Sequence, residues 1–373
     1  MRSMSNRKVL VLSNMYPTEK AKAFGIFVKN QVVALQKAGL DVDVMAVTNP
    51  SMKKQAVLIK YLVWLLKVLI HAVVRGRRYD VVHVHYVFPT GILGLLYRKL
   101  WKTRFIVTAH GGDIERMAHK SKRIWQWTKY ILQEADHVIA VGPKLYEEIH
   151  EQFGVAKEKI SIINMGVNRE VFQPMNKQEA RKLCGIADDV IPVLYVGNMI
   201  EQKGLLELVD AFAMLKQEYP NANLYMIGQK KDGAFYQRLL QRMEQSGAQD
   251  IHMLDAMNQS ELAMWMSAAE VFVLPSHLEG FGLVALEAMS CHTPVVGSDV
   301  GGLSYLLSGG AGILVEPRNK ESLYEGIKTV LSDAKMREQL IQKGELRAQE
   351  NDGKRIVERV IQLYSPPEGV RDA

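Results

Sequence analysis

The sequence predicts an α/β protein made of two Rossmann-like halves, each a parallel sheet wrapped by helices. Three observations carry this. Short Val/Ile-rich runs recur along the 373-residue chain, separated by helix-length segments, as expected of strands buried on both faces. The length suits two domains, and 48 % apolar with 23 % charged residues is a globular composition, not a disordered or fibrous one. The strand–helix plan of the first half also returns after a polar stretch over 174–189 that reads as an irregular linker.

Taken in order, the first half predicts strands over 9–12, 42–47, 81–86, 104–109 and 138–141, with helices over 24–38, 56–74 and near 91–100. The four-residue apolar run at 9–12 is too short for a signal peptide and suits a buried strand. The second half predicts strands over 193–196, 224–227, 252–254, 271–274 and 294–297, with helices near 205–218, 235–246, 260–269 and 283–290. A charged helical segment follows over 336–364 and ends at Pro366-Pro367 with a polar tail. The expected domains are therefore 1–173, 174–350, and a C-terminal helix and tail over 351–373 that packs back toward the first domain. Two such halves would face each other across a cleft at the carboxyl ends of their strands, where ligands bind in this class.

The segment 56–74 is the one membrane candidate. Its Val, Leu and Ile residues favour insertion by about 4–7 kcal/mol, and Lys60 and Lys67 oppose it by about 5–7 kcal/mol, so hydropathy alone does not decide. A spanning helix would place strands that must share one sheet on opposite sides of a bilayer, which rejects a span. Lys60, Lys67, His71, Arg75 and Arg78 fall on one stripe at helical spacing. Two readings remain, a core helix with a solvated basic edge, which is preferred, and an interfacial helix on anionic lipid.

Charge is distributed unevenly. The formal net charge is +7, yet residues 1–170 carry 27 Lys/Arg against 13 Asp/Glu. The basic half points to an anionic partner, and the absence of a basic motif interleaved with aromatics argues against nucleic acid. Cys184 and Cys291 have no ligand-spaced neighbours and suggest a reducing compartment.

The densest chemistry lies at 275–289. A strand ends at Leu274, Gly280 and Gly282 allow close backbone approach to a ligand, and the following helix start offers free N–H groups to a phosphate. Glu279 lies in the turn and Glu287 two helical turns on, on about the same face. A carboxylate so far inside an apolar helix needs a partner, and vicinal sugar hydroxyls suit it.

Glu279, seven residues and Glu287, with Pro275-Ser276 before, Thr293-Pro294-Val295-Val296 after, and Gly301-Gly302 beyond, resemble the E-x7-E signature of retaining glycosyltransferases of family 4, and the stretch over 25–32 resembles bacterial members of the surface-polysaccharide type. The resemblance runs from about Lys8 to Leu331 and implies the GT-B fold. It implies that Glu287 holds the ribose hydroxyls of a nucleotide sugar, that Glu279 lies by the donor sugar, and that backbone N–H groups of Gly280, Phe281, Gly282 and Leu283 meet sugar or diphosphate. The segment 196–204 resembles the family's phosphate-binding turn, so Lys203 would meet the diphosphate; Asn198 stands where many members have arginine. In the first half, 108–113 resembles the family's His-Gly loop. His110 would touch the donor sugar and the acceptor side, Asp113 would orient one of them, and Gly25 occupies the family's glycine loop, with Phe24 in place of a second glycine.

Asp41 and Asp43 have a D-x-D spacing but lie at a strand start, away from the ligand end, so they read as structural and neither a metal nor any other cofactor is expected. His83 and His85 share one strand face and lean to packing. The resemblance thus implies a retaining, metal-independent transfer of a sugar from a nucleotide diphosphate sugar to a hydroxyl of a glycan or polyprenyl-linked acceptor. Glu279, His110 and Lys203 would be its catalytic residues, and a UDP-sugar is the first expectation for the donor, a GDP-sugar the second. The expected setting is cell-envelope polysaccharide synthesis in the cytoplasm, or at the inner face of the plasma membrane with an anionic lipid surface as partner. The competing class is a catalytically weak, membrane-docked binding subunit, for which Asn198 is the hint.

Overall fold

Alternation of β-branched strands with helices produces two separate six-stranded parallel sheets in the computed structural model, which describes residues 7–19, 21–22, 24–51 and 54–365. The first compact unit comprises Met1–Met165 with Gly353–Ala373, and the second Gly166–Asp352.

In the first unit, strands β1 (Lys8–Ser13), β2 (Asp41–Ala46), β3 (Val81–His85), β4 (Arg104–Ala109), β5 (His137–Ala140) and β6 (Ile160–Ile162) lie in the order β2-β1-β3-β4-β5-β6. Every adjacent pair is parallel, so each crossover carries helices onto a sheet face. Side chains of β1 alternate between two cores: Leu10 and Leu12 enter one, Val9 and Val11 the other. The first core is covered by α2 (Lys54–Arg75), α3 (Thr90–Trp101), α4 (Lys122–Glu134) and α5 (Pro143–Phe153). The second is covered by α1 (Ile26–Lys37) and by α14 (Gly353–Leu363), which follows the second unit in the chain.

In the second unit, β7 (Ile191–Val196), β8 (Ala222–Ile227), β9 (Ile251–Leu254), β10 (Val271–Leu274), β11 (Val295–Ser298) and β12 (Ile313–Val315) lie in the order β12-β11-β10-β7-β8-β9. Its helices are α6 (Lys177–Cys184), α7 (Leu205–Glu218), α8 (Gly233–Ser246), α9 (Gln259–Ala268), α10 (Leu283–Ser290), α11 (Gly301–Leu307), α12 (Lys320–Ser332) and α13 (Ala334–Glu350). The strand order reverses between β7 and β10, so the loops leaving these two neighbours lie side by side at the sheet's carboxyl end.

Four expectations need correction. The stretch over 174–189 is not irregular throughout, because Asn176 caps α6 by accepting from the Glu179 N–H and Gly185 ends it in the left-handed conformation. The segment over 336–364 is two helices, broken at Asn351 and Asp352, that belong to different units. The division between units falls eight residues before the expected boundary at 173, because Val167 and Phe172 are buried in the core of the second unit. The helix over 56–74 is not a core helix: only Trp64, Val68 and Ala72 of α2 are buried, and its apolar remainder faces outward. The polar tail beyond Ser365 lies outside the described residues.

Candidate donor site and the histidine loop

The β7–α7 and β10–α10 connections meet backbone to backbone. Gly204 caps α7 with φ +66°, and a Cβ there would lie 1.9 Å from the Pro275 carbonyl oxygen. No residue but glycine fits, since left-handed strain and overlap with main chain would act together. The His277 N–H donates to the Gln202 carbonyl at 2.9 Å, and the His277 ring meets Glu207 of α7 at 3.0 Å. A third connection closes in from β11, where the Gly302 N–H donates to the Glu279 carbonyl at 3.0 Å and a Cβ on Gly302 would lie 2.1 Å from the Gly280 oxygen.

This packing brings Lys203 and Glu279, 76 residues apart, to 2.6 Å between Nζ and Oε2. The Ser276 hydroxyl donates to the same carboxylate oxygen at 3.3 Å. Gly282 caps α10 with φ +89°, and neither α7 nor α10 has a side chain bonded to its first N–H groups, so both helix starts remain open to an anion. Asn198 lies in the same loop; its carbonyl accepts from the Tyr195 hydroxyl at 3.0 Å.

Glu287 occupies the second turn of α10 and is buried, 7 % exposed, with no hydrogen-bond partner among the described residues. Desolvation pushes its pKa up to about 8. A buried carboxyl without a partner is costly, and a ligand hydroxyl would relieve that cost. Phe281, between the two glycines of the turn, is buried and contributes to the unit's core.

In the first unit the residues singled out by sequence gather at the carboxyl end of β1, β3 and β4. Gly25 caps α1 with φ +75°, and a Cβ there would approach the Met15 carbonyl oxygen to 2.7 Å. His110 follows β4, its ring 5.0 Å from Phe27 and 4.5 Å from Tyr86, with Nε2 3.1 Å from Nδ1 of His85. Burial drives the His110 pKa down to about 3, so the ring is a neutral donor–acceptor near pH 7. Asp113 is turned inward: its carboxylate accepts from the His110 N–H at 3.0 Å and the Val87 N–H at 2.9 Å. Burial nevertheless raises its pKa to about 6. Asp113 therefore holds the histidine loop in shape by tying the Val87 and His110 N–H groups together. His83 bonds Tyr364 and Thr108, each at 2.7 Å, in keeping with packing, whereas His85 belongs to the His110 pair.

The geometry also identifies contributors to which the sequence assigned no role, among them Ser276, Tyr195, Phe27 and Tyr86. Phe27 and Tyr86 depend on contacts between distant segments, whereas Ser276 and Tyr195 carry a local signal, each three residues from its partner, Glu279 and Asn198. Asp41 pairs with Lys8, and Asp43 with Arg78, Tyr79 and Lys8, as structural carboxylates at a strand start. Among the described residues no cluster of three His, Cys, Asp or Glu side chains is arranged to hold a metal.

Two family models match the chain: Glycosyltransferase Family 4 over residues 25–171 and Glycosyl transferases group 1 over residues 176–347. A D-inositol 3-phosphate glycosyltransferase of Paenarthrobacter aurescens is 31 % identical over 274 residues, covering 70 % of this chain and 67 % of that protein. TuaC of Bacillus subtilis, a glycosyltransferase named for teichuronic acid biosynthesis, is 27 % identical over 358 residues, 86 % of this chain and 88 % of its own. Among solved structures, sucrose-phosphate synthase from Thermosynechococcus elongatus superposes with a TM-score of 0.81 at 26 % identity, covering 96 % of this chain and 98 % of that one. HepE of Anabaena, solved with UDP and glucose, superposes with a TM-score of 0.77 at 20 % identity, covering 95 % and 98 %.

Proposed function

This chain belongs to the GT-B glycosyltransferases, family 4 in its first half and group 1 in its second, and from that premise we propose that it moves a sugar from a nucleotide diphosphate sugar to a hydroxyl with the anomeric configuration retained. The observation that carries the reading is Glu287, a buried carboxyl without a partner behind a glycine turn and beside two open helix starts. A nucleotide sugar supplies what each group lacks. Its ribose hydroxyls satisfy Glu287, its diphosphate meets Lys203 and the N–H groups of Gly280, Phe281, Gly282 and Leu283, and its sugar lies by Glu279.

In this reading the barrier is set by charge gathering on the departing diphosphate and by positive charge at the anomeric carbon. Lys203 and the helix starts stabilise the first, and Glu279 orients the sugar for the second; a sugar contact by the neutral imidazole of His110 is what the family resemblance implies. Lys203 is paired with Glu279, so a diphosphate would compete with that carboxylate for the ammonium. No side chain in the motif stands as an evident base, and the leaving phosphate oxygen takes the acceptor proton on the face that the nucleotide leaves. Asn198 supplies no positive charge, which places the neutralisation on Lys203 and the helix starts; an approach of the Gly25 main chain to the diphosphate is what the family resemblance implies. The transfer needs no metal.

The likeness to TuaC supports an acceptor in surface-polysaccharide synthesis, a glycan or a polyprenyl-linked glycan, and with it a cytoplasmic location. UDP-sugars are the first donors to test, GDP- and ADP-sugars the next. Donor hydrolysis and transfer, assayed with a chelator present, should persist in the wild type and fall at least about a hundredfold in Glu287→Ala and Lys203→Ala. NMR of the product should show the donor's anomeric configuration. An inverted product ends the retaining assignment, and a chain that binds but never turns over any donor is the weak binding subunit that Asn198 hints at.

A further inference from the structure

The outer face of α2 has no protein partner in its unit. Leu58, Ile59, Leu62, Val63, Leu65, Leu66, Leu69, Ile70, Val73 and Val74 are all exposed, from 36 % at Leu69 to 72 % at Val74. At 100° per residue these ten span about 180° of the helix circumference, and no charged residue interrupts them. Scattered exposed leucines are ordinary, but a continuous face of this length along a helix of about 33 Å marks a binding surface. A narrow opposite strip, Trp64, Val68 and Ala72 with the half-buried Tyr61 at its edge, packs into the core.

The chemistry at the margins identifies the partner. Lys67, Arg75 and Arg77 are exposed along or just beyond α2. From Met45 to Gly112 the chain has eleven Lys/Arg and a single acidic residue, Asp80. The neighbouring helices of the same layer continue the character: Leu100, Trp127 and Tyr130 are exposed, and Lys99 donates to the Tyr130 hydroxyl at 2.6 Å. Apolar bulk with basic edges and amphipathic aromatics matches the boundary between anionic headgroups and acyl chains. A second copy would bring two basic margins together, so charge favours lipid over self-association.

Topology fixes the orientation. α2 links β2 to β3, and both strands pair with β1 in one parallel sheet, so the two ends of the helix cannot lie on opposite sides of a bilayer. Lys60, near the middle, has its ammonium tied to the Asn49 and Ser51 carbonyls at the sheet side. We propose that α2 lies in the plane of an anionic membrane, its 58–74 face sunk among the acyl chains and its basic margins on the headgroups, so that the first unit docks on lipid independently of the transfer reaction.

The test is sedimentation of the full chain with phosphatidylcholine vesicles, with and without phosphatidylglycerol, no nucleotide sugar being present. The wild type should sediment with the anionic vesicles, and the exposed double variant Leu62→Glu/Leu66→Glu should lose at least about tenfold in bound fraction while keeping its circular dichroism and donor turnover. Lys67→Gln/Arg75→Gln/Arg77→Gln should weaken binding to anionic vesicles and reduce its salt sensitivity. Wild-type chain left in the supernatant with both vesicles, undiminished binding by the leucine variant, or a dimer in analytical ultracentrifugation that this variant dissolves would each overturn the proposal. Loss of donor turnover alone would instead count against the reaction.

Discussion

Glu287 carries a proton near neutrality because burial without a partner has moved its pKa to about 8. In the unfolded chain the same carboxyl titrates near 4.3. The native state therefore binds more protons between these values, and stability falls as pH rises through that window. Glu287→Gln should flatten this slope, so its melting temperature should gain on the wild type as pH goes from 5 to 8. Ribose hydroxyls donate to the ionised form and favour it, so donor affinity should rise about tenfold between pH 6.5 and 8 and then level, whereas Glu287→Gln should bind weakly and without that dependence. Calorimetry in buffers of different ionisation enthalpy should show a proton released on binding below pH 8. At this scale the sequence was informative: Glu279, Glu287, Gly280 and Gly282 are local, and their spacing on a strand–turn–helix is readable. The partner of Lys203 was not, because it comes from the next strand of the sheet, 76 residues away. The inward contacts of Asp113 were not legible for a related reason, since only the folded loop brings its two oxygens to the Val87 and His110 N–H groups.

Elements meet in the donor site through glycines, which lets two loops share one backbone surface. Gly204→Ala would add a Cβ within 1.9 Å of the Pro275 oxygen while holding a left-handed residue. The loops must separate by more than an ångström, carrying Lys203 away from Glu279 and the α7 start away from the α10 start. We expect at least about a tenfold loss in donor kcat/KM with the far-ultraviolet spectrum unchanged, because few core side chains depend on the turn. Elements with a clear apolar pattern between turn signals, such as α7, β4, β10 and α10, have the bounds their patterns predict. The three-residue strands β6 and β12 carry too few residues to show a period, and α6 hides in a polar stretch because its helix signal is a cap, Asn176, and not an apolar face. α2 shows the opposite limit: its apolar pattern is unmistakable, yet no sequence period says whether an apolar face meets protein or lipid.

For the molecule as a whole, the chain leaves the first unit at Met165 and returns to it at Gly353. α14 then covers the face of the first sheet opposite α2–α5, burying Ile356, Val357, Val360 and Tyr364, whose hydroxyl lies 2.7 Å from Nδ1 of His83. Four such side chains contribute about 6–12 kcal/mol by area, an upper estimate comparable with the whole stability of a domain. A chain ending at Asp352 should therefore lose the cooperative unfolding of its first unit, read as a missing calorimetric transition and early proteolysis within residues 7–165, while the second unit keeps its own.

By itself the sequence determined the two parallel sheets, the glycine turn before α10, its pair of glutamates, and the basic character of the first half, because strand alternation, helix spacing and charge are local properties. Only the tertiary structure decided that Lys203 meets Glu279, that Asp113 faces inward, that the last helix belongs to the first unit, and that the apolar arc of α2 is left outside. Each of these depends on which distant segment occupies the neighbouring space, and burial, unlike periodicity, is a property of the packed whole.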